Sequence, residues 1–384
     1  MRAGSVNEAV IIGAGKTGRG FVARLLTGQG IRMRFIDKDR QLVDRLNAAG
    51  SFEIRYFGTD KTTRVEGYTA HTWEDADLSG DELIFVSVCS QNLADVGREL
   101  KKRLDPEREH YIITCENATD PARILREQLD SERVHISEAT VFCTTVEAGG
   151  CDIGSEEYPW LQYDVESLGG FRPEIPGLKP VRNFSAFLKR KLYTYNAASC
   201  VIAYLGWLKG CTDYAEAAND EVIGRLLDEN YAETNAAVCR EYGYDMADQQ
   251  EFARLSKAKF CNRKIADTLE RNARQPERKI TRDERVIAPL LLIAKYGGDP
   301  RVLEMTAAAM LLYDGEGEEA WRAKVRDLGP AGVLREVCGL GDEPALCEGI
   351  LGYYELFTAD KRANANLLDS LSRKKAELPP AHPA

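Results

Sequence analysis

The stretch that decides the fold is Ala9-Val-Ile-Ile-Gly13-Ala-Gly15-Lys-Thr-Gly18-Arg-Gly20. A short apolar strand runs into glycines at Gly-x-Gly-x-x-Gly spacing, and apolar residues at helical spacing follow from Phe21 to Leu26. A second strand, Arg32 to Ile36, ends at Asp37, about 20 residues beyond the glycines. The glycine pattern alone is weak, but in this order of elements it predicts a dinucleotide-binding unit.

Each residue of this pattern has a physical task. Gly13 allows a tight turn, Gly15 lets the backbone approach a pyrophosphate, and Gly18 permits close helix packing. Asp37 can accept hydrogen bonds from ribose hydroxyls and repels a 2′-phosphate, so we expect NAD rather than NADP, although Arg40 is close enough to weaken that preference. A glycine turn without a ligand is the alternative. The predicted cofactor-binding residues are Gly13, Gly15, Lys16, Thr17, Gly18, Asp37 and Ser87.

The rest of the first half alternates strands with helices, which predicts a parallel sheet of the Rossmann type, doubly wound. Between Ser51 and His71 the apolar residues alternate with polar ones, which predicts an inserted β-hairpin. Ligands bind beyond the carboxyl ends of such strands, where Ser87 and Asn117 lie. Asn117 could also simply cap the next helix. The further strands are expected at Glu82–Val88, Tyr111–Cys115 and Val134–Ser137.

The second half has a different character. Residues 149–180 are rich in Gly and Pro, and from Phe184 onward apolar residues recur at helical spacing. We therefore predict an α/β Rossmann domain over residues 1–180 and a mostly α-helical substrate domain over residues 181–384. The tail after about residue 374 is expected to be disordered.

Composition limits the function classes. A net charge of -10 argues against a nucleic-acid partner, which usually needs a basic excess. The ten cysteines form no Cys-x-x-Cys pair, so we expect reduced thiols and no metal site. No apolar run is long enough to span a bilayer, and no secretory leader is visible, so we expect a cytoplasmic protein without a membrane partner.

A second informative stretch is Lys191-Leu-Tyr-Thr-Tyr-Asn196-Ala-Ala-Ser199. On a helix, four side chains project within one broad arc and could face a common substrate: Lys191, Tyr195, Asn196 and Ser199. A lysine against apolar surface has a lowered pKa and can take a hydroxyl proton, while an asparagine can hold the developing oxyanion. The alternative for Lys191 is a solvated helix face, because it ends the basic run Lys189-Arg190-Lys191.

The chain resembles the mannitol dehydrogenase family of polyol-specific long-chain dehydrogenases, and is similar to its mannitol-1-phosphate 5-dehydrogenase branch. The resemblance extends from about residue 8 to about residue 358. It rests on six stretches: Gly13 to Phe21, Cys115-Glu-Asn117, Ile175-Pro-Gly177, Lys191 to Asn196, Ala203-Tyr-Leu-Gly206 and Arg274-Gln-Pro-Glu-Arg-Lys279.

The resemblance implies roles for individual residues. In that family the lysine of a Lys-x4-Asn-x2-His motif is the general acid and base, which here is Lys191. Asn196 and Asn117 would polarise the substrate oxygen, and no metal is expected. The family histidine falls on Ser199, which cannot carry a proton near neutral pH as histidine does. The family Val-Asp-Arg segment also differs, since Glu147 stands for the acid and the arginine is missing.

We therefore expect an NAD-dependent oxidoreductase that interconverts a polyol or polyol phosphate and its ketose, by default mannitol 1-phosphate and fructose 6-phosphate. A uronate or aldonate oxidoreductase is the enzymatic alternative, and an NAD-binding protein without turnover is the other. The chain is expected to be a monomer or homodimer. A basic cluster bears on the substrate, but interleaved acids also make it typical of a salt-bridged surface. Its members are Arg271, Arg274, Arg278, Lys279, Arg282 and Arg285.

Overall fold

The computed structural model describes residues 2–80, 83–116, 120–265, 267–359 and 363–373. Asn117 and the tail after residue 373 lie outside the described residues. The chain divides into two compact units, residues 1–187 and 188–384, and each is described by itself.

The described residues of the first unit form three β-sheets. Its strands are β1 Arg2–Gly4, β2 Glu8–Ile12, β3 Arg32–Ile36, β4 Ser51–Tyr56, β5 Thr62–Glu66, β6 Tyr68–His71, β7 Leu83–Val86, β8 His110–Thr114, β9 Val134–Thr140, β10 Thr145–Glu147, β11 Ile153–Ser155, β12 Leu161–Asp164, β13 Phe171–Pro173 and β14 Leu178–Val181. Its helices are α1 Ala23–Leu26, α2 Arg40–Ala49, α3 Leu93–Arg103 and α4 Pro121–Leu129. A π-helical segment, Gly18–Val22, leads into α1.

The main sheet has eight strands in the order β14-β12-β9-β8-β7-β2-β3-β6. Neighbouring strands are parallel except for β9 and β12. Side chains of β2 alternate between two buried clusters, since Ile11 packs on one face of the sheet and Ile12 on the other. The doubly wound, Rossmann-type prediction is confirmed, and the order reverses between β2 and β7, which is where such sheets bind ligands.

The predicted hairpin is present, because β4 and β5 pair antiparallel. It belongs to a small sheet of four strands in the order β10-β11-β4-β5. The Gly- and Pro-rich segment also forms strands, two of which extend the main sheet. Pro180 lies in β14, which is an edge strand of the main sheet. Proline has no backbone N–H to donate and is therefore tolerated at an edge, where one side of the strand has no partner strand.

The second unit is helical. Its helices are α5 Phe184–Lys191, which begins in the first unit, α6 Ala197–Cys200, α7 Gly206–Lys209, α8 Tyr214–Ala218, α9 Glu221–Tyr242, α10 Met246–Phe260, α11 Leu269–Ala273, α12 Pro276–Lys279, α13 Ile287–Lys295, α14 Arg301–Leu312, α15 Glu319–Glu336, α16 Pro344–Ala359 and α17 Asn364–Arg373. Two π-helical segments, Leu192–Asn196 and Val201–Leu205, join α5, α6 and α7 into one helix of residues 184–209.

Local sequence explains the longest of these helices. The Asp220 carboxylate accepts hydrogen bonds from the N–H groups of Val222 and Ile223 at 3.0 and 3.1 Å, which caps the start of α9. Gly243 ends it in the left-handed conformation, with φ of 71°. Within the described ranges, no helix combines the length and apolarity that crossing a membrane requires.

Candidate functional site

The glycine turn after β2 is close-packed at two positions and open at the third. Gly13 has φ of 95°, and a Cβ there would lie 2.2 Å from the carbonyl oxygen of Ser87. A Cβ on Gly18 would lie 2.0 Å from the Gly13 carbonyl oxygen. A Cβ on Gly15 would meet no atom within 4 Å. The turn therefore needs glycine at Gly13 and Gly18 for its own packing, and leaves space for a ligand beside Gly15.

A cavity of about 230 Å³ opens in front of this turn. Four of the predicted cofactor residues line it: Gly13, Gly15, Asp37 and Ser87. Lys16, Thr17 and Gly18 are not among its lining residues. Its apolar wall includes Trp73, Val88 and Val96, which sequence reasoning missed because no local motif marks them. A turn with free space, an acid and an apolar wall are what a dinucleotide half-site requires.

Asp37 is held in place by backbone groups. One carboxylate oxygen accepts from the N–H of Ala14 at 2.8 Å, and the other accepts from the N–H of Asp39 at 2.9 Å. Arg40 donates to the carboxylate of Glu74 at 2.6 Å. Arg40 is thus engaged by its own acid, while Lys38, which also lines the cavity, donates to the Asn92 side-chain oxygen at 3.3 Å.

Glu147 forms an ion pair with a buried arginine next to the glycine turn. Its carboxylate lies 2.9 Å from the guanidinium of Arg19, which is only 2% exposed. Arg19 also donates to the carbonyl oxygens of Ala14 and Cys151, both at 2.6 Å. Glu147 therefore braces the glycine turn. Sequence comparison aligned it with a family acid, but its pairing with Arg19 was not foreseen.

In the second unit, Lys191 and Asn196 flank a π-helical turn. The N–H of Ala197 bonds to the carbonyl oxygen of Leu192, five residues back. In a regular α-helix, Lys191 and Asn196 would lie about 140° apart around the axis. An i→i+5 turn reduces the angle around the axis between residues five apart, and such turns are frequent at functional sites.

Lys191 has the electrostatic surroundings of a proton-transfer group. Burial, with smaller contributions from the charges of Lys259 and Arg285, lowers the pKa of Lys191 to about 7. At neutral pH its amine is therefore divided between the neutral and the charged form.

The π-helical turn is held by a buried glutamine on α10. The Gln249 amide nitrogen donates to the Thr194 hydroxyl at 3.0 Å and to the Asn235 oxygen at 2.9 Å. Its oxygen accepts from Arg190 at 2.6 Å. Gln249 therefore holds Thr194, in the middle of the turn, and Arg190, which immediately precedes Lys191.

Of the other side chains in the motif, Tyr195 is part of the hydrophobic core and Ser199 is partly exposed. Tyr195 is buried with its ring 5.0 Å from that of Phe252, so it belongs to the core and not to the arc that includes Lys191. Ser199 is partly exposed and accepts a hydrogen bond from the Tyr214 hydroxyl at 3.1 Å.

The basic cluster is mostly a paired surface. Arg271 binds Asp267 at 3.1 Å, Arg278 lies 3.5 Å from Glu284, and Arg282 lies 3.8 Å from Glu343. Lys279 differs. It is buried, and its amine donates to the carbonyl oxygen of Asn272 at 2.5 Å. Burial, together with nearby arginines, lowers the pKa of Lys279 to about 8.

In the part of the chain that the structure describes, no three His, Cys, Asp or Glu side chains are grouped so that they could hold a metal ion.

Residues 183–371 match the family described as the mannitol dehydrogenase C-terminal domain, and residues 9–154 match the family described as ketopantoate reductase PanE/ApbA. The solved mannitol 2-dehydrogenase of Pseudomonas fluorescens, a ternary complex with NAD and D-mannitol, has a TM-score of 0.67 at 16% identity, over 96% of this chain and 95% of its own. A substrate-free D-sorbitol dehydrogenase has a TM-score of 0.71 at 12% identity, over 93% and 94%. The fold is thus shared along both chains. Residues 183–371 are therefore a mannitol dehydrogenase C-terminal domain, and the fold of the whole chain is that of the two polyol dehydrogenases.

Proposed function

We propose that the chain is an NAD-dependent oxidoreductase that oxidises a secondary alcohol of a polyol or polyol phosphate to the ketose, and catalyses the reverse reaction. The observation that carries the proposal is Lys191, an amine with a pKa of about 7 whose π-helical turn ends at Asn196. A group with this pKa can exchange a proton with a hydroxyl at neutral pH in either direction.

The first unit is proposed to hold the cofactor. Gly15 offers the free space that a pyrophosphate needs, and Asp37 presents a carboxylate to ribose hydroxyls. Gly13 and Ser87 close the turn against the neighbouring strand, and Trp73 belongs to the apolar wall. Bound NAD would accept the hydride that the carbinol carbon loses. The complex of the Pseudomonas fluorescens enzyme with NAD supports this choice of cofactor.

The proton step belongs to the second unit. Neutral Lys191 takes the proton of the substrate hydroxyl, and the ammonium form returns it during reduction. The Asn196 amide donates to the oxygen as negative charge develops on it. Asn117 is proposed as a second donor to that oxygen, and Ser199 as a further contact to the substrate.

The charges around Lys191 favour an anionic substrate. Lys259 and Arg285 both act on the pKa of Lys191, and Lys279 lies near Arg285. A phosphate or carboxylate would be attracted by these cations, of which Arg285 also pairs with Glu284 at 3.1 Å. Mannitol 1-phosphate and fructose 6-phosphate are therefore the default pair, and a uronate or aldonate is the competitor.

A protein that binds NAD without turnover is the other candidate. It is favoured by one observation: Glu147, which stands for a family acid, is engaged by Arg19. The cytoplasmic location and the monomeric or homodimeric state stay predictions.

The test follows NADH absorbance with mannitol 1-phosphate, mannitol, sorbitol and gluconate. We expect oxidation by the wild type, a loss of at least 100-fold in kcat for Lys191→Ala, and little change for Lys189→Ala, whose amine lies over the ring of Tyr193. Alcohol oxidation should rise as the pH increases through about 7, since the neutral amine is the base. Ketose reduction should fall over the same range.

NADH binding without turnover on any compound would favour the non-catalytic candidate. Undiminished activity of Lys191→Ala would remove Lys191 from the mechanism.

A further inference from the structure

Ser199 has an unusual partner for a serine within a helix. Tyr214, on α8, donates its hydroxyl to the Ser199 oxygen at 3.1 Å. Tyr214 is buried, and its ring packs edge-on against Phe260 at 5.9 Å. Burial raises the pKa of Tyr214 well above its ordinary value, so the phenol keeps its proton and remains a donor.

The number of protons on the Ser199 hydroxyl limits the hydrogen bonds that it can donate. A serine hydroxyl has one proton to give and can accept through its lone pairs. In helices that proton often goes to the carbonyl oxygen four residues earlier. Among the described residues, the bond from Tyr214 is the only side-chain hydrogen bond that Ser199 makes. Its own proton must point away from Tyr214, since two hydroxyl protons cannot share one contact.

The position of Ser199 directs that proton toward the proposed site. Ser199 is partly exposed, whereas Ala197, Ala198 and Cys200 around it are buried. It follows Asn196 by three residues, a spacing that places two side chains side by side on a helix. The hydroxyl is therefore the polar group of this turn that a ligand beside Asn196 would meet.

We propose that Tyr214 is a positioning residue that orients Ser199 as a neutral hydrogen-bond donor to a substrate hydroxyl next to the reacting carbon. The inference rests on the proposed function. It implies a substrate with a hydroxyl beside the carbinol, as polyols have, and a contact that does not titrate near neutral pH. The pH dependence of kcat should then follow Lys191 alone.

The experiment compares Tyr214→Phe with Tyr231→Phe, using mannitol 1-phosphate or the panel compound that the wild type oxidises fastest. Tyr231 is a matched control, because it is also buried and donates its hydroxyl to a serine, Ser256, at 2.8 Å. We expect Tyr214→Phe to raise KM for the polyol about three- to ten-fold while KM for NAD and the pH profile stay unchanged. Tyr231→Phe should leave all three unchanged.

Ser199→Ala completes the design, since it removes the same contact from the other side. It should raise KM as Tyr214→Phe does, and the double variant should be no worse than either single one. A wild-type KM in Tyr214→Phe, or an equal rise in Tyr231→Phe, overturns the inference. If Tyr214→Phe does not accumulate as folded protein, an unchanged KM in Ser199→Ala overturns it instead.

The proposed function fails separately. A wild type that oxidises no compound of the panel overturns both proposals. A wild type that is active and depends on Lys191, with no effect of Tyr214→Phe, overturns only this inference.

Discussion

Asp37 illustrates how one side chain can decide cofactor choice. Its carboxylate is fixed by the N–H groups of Ala14 and Asp39, and the nearby arginine, Arg40, is bound to Glu74. A 2′-phosphate would therefore meet a fixed negative charge without an available arginine beside it.

Replacing this acid should change the preference. Asp37→Ser is expected to raise KM for NAD about ten-fold or more and to make NADP usable, because the repulsive charge is gone. Asp39→Ser is the control, since serine can still cap α2 as Asp39 does by accepting from the N–H of Leu42. The measurement is kcat/KM with each cofactor, and an unchanged NAD to NADP ratio in Asp37→Ser would contradict the assignment.

At this scale, sequence predicts best where a motif is contiguous. Gly13, Gly15 and Asp37 were found because their spacing in a strand–turn–helix unit has a local physical cause. Trp73 and Tyr214 were not found, because each reaches its place only when separate parts of the chain fold together. Single residues of common types carry no local mark of what they will contact after folding.

The π-helical turn is the feature that matters most at the scale of elements. Helical periodicity predicted a helix through Lys191, but a single inserted residue in a turn leaves almost no trace in the spacing of apolar side chains. What stabilises the turn comes from α10, through Gln249.

Replacing Gln249 should lower both the free energy of unfolding and kcat. Gln249→Leu leaves the nearly buried guanidinium of Arg190 and the hydroxyl of Thr194 without the amide they now contact. We expect the free energy of unfolding to fall by about 2 kcal/mol, because the amide contacts are lost while Arg190 keeps its ion pair with Asp248 at 2.7 Å. We also expect kcat to fall more than KM changes, since Lys191 loses its orientation. Gln250→Leu, at the exposed neighbouring position, should do neither.

Urea unfolding and steady-state kinetics measure the two effects. Equal stability of Gln249→Leu and Gln250→Leu would mean that the turn does not depend on this network.

The Gly- and Pro-rich segment shows a second limit at this scale. Residues 149–180 suggested only a break between domains, yet β12 and β14 complete the main sheet there. Short strands in a Gly- and Pro-rich segment are hard to predict, because three or four residues are too few to show an alternation of apolar and polar side chains. Their pairing is set by β9, which is far enough away in sequence to leave no local pattern.

At the scale of the whole molecule, each unit has its own core. The first has buried clusters on both faces of its main sheet, and the second has one cluster among its helices. Composition and periodicity predicted this layering well, because burial of apolar faces is the main stabilising term in folding. Buried charges are the exception, and they give the stability a dependence on pH.

Glu304 on α14 is the clearest case. A Cβ on Gly349 of α16 would lie 2.5 Å from its carboxylate, so the two helices pack closely there. Burial, with a smaller effect of Asp299, raises the pKa of Glu304 to about 7. The stability that the protonated form contributes is fully present below the unfolded pKa of 4.5 and is lost as pH rises through about 7.

Urea unfolding at pH 8 should therefore give Glu304→Gln a free energy of unfolding about 2 kcal/mol higher than that of the wild type. The difference should be smallest near pH 5. Glu348→Gln, at an exposed position on α16, should match the wild type at both values. A constant difference between pH 5 and pH 8 would rule out titration of Glu304 as the cause.

Arg19 has a consequence for the modularity of the first unit. Its guanidinium joins the glycine turn to the small sheet through Ala14, Cys151 and Glu147. Gly20 lets the sheet approach, since a Cβ there would lie 2.3 Å from the Ile153 side chain. A chimaera that transplanted this turn without the small sheet would strand a full charge in an apolar interior. The β10–β11 part of the small sheet must therefore be transferred together with the turn, and Arg19 and Glu147 must be moved, or replaced, as a pair.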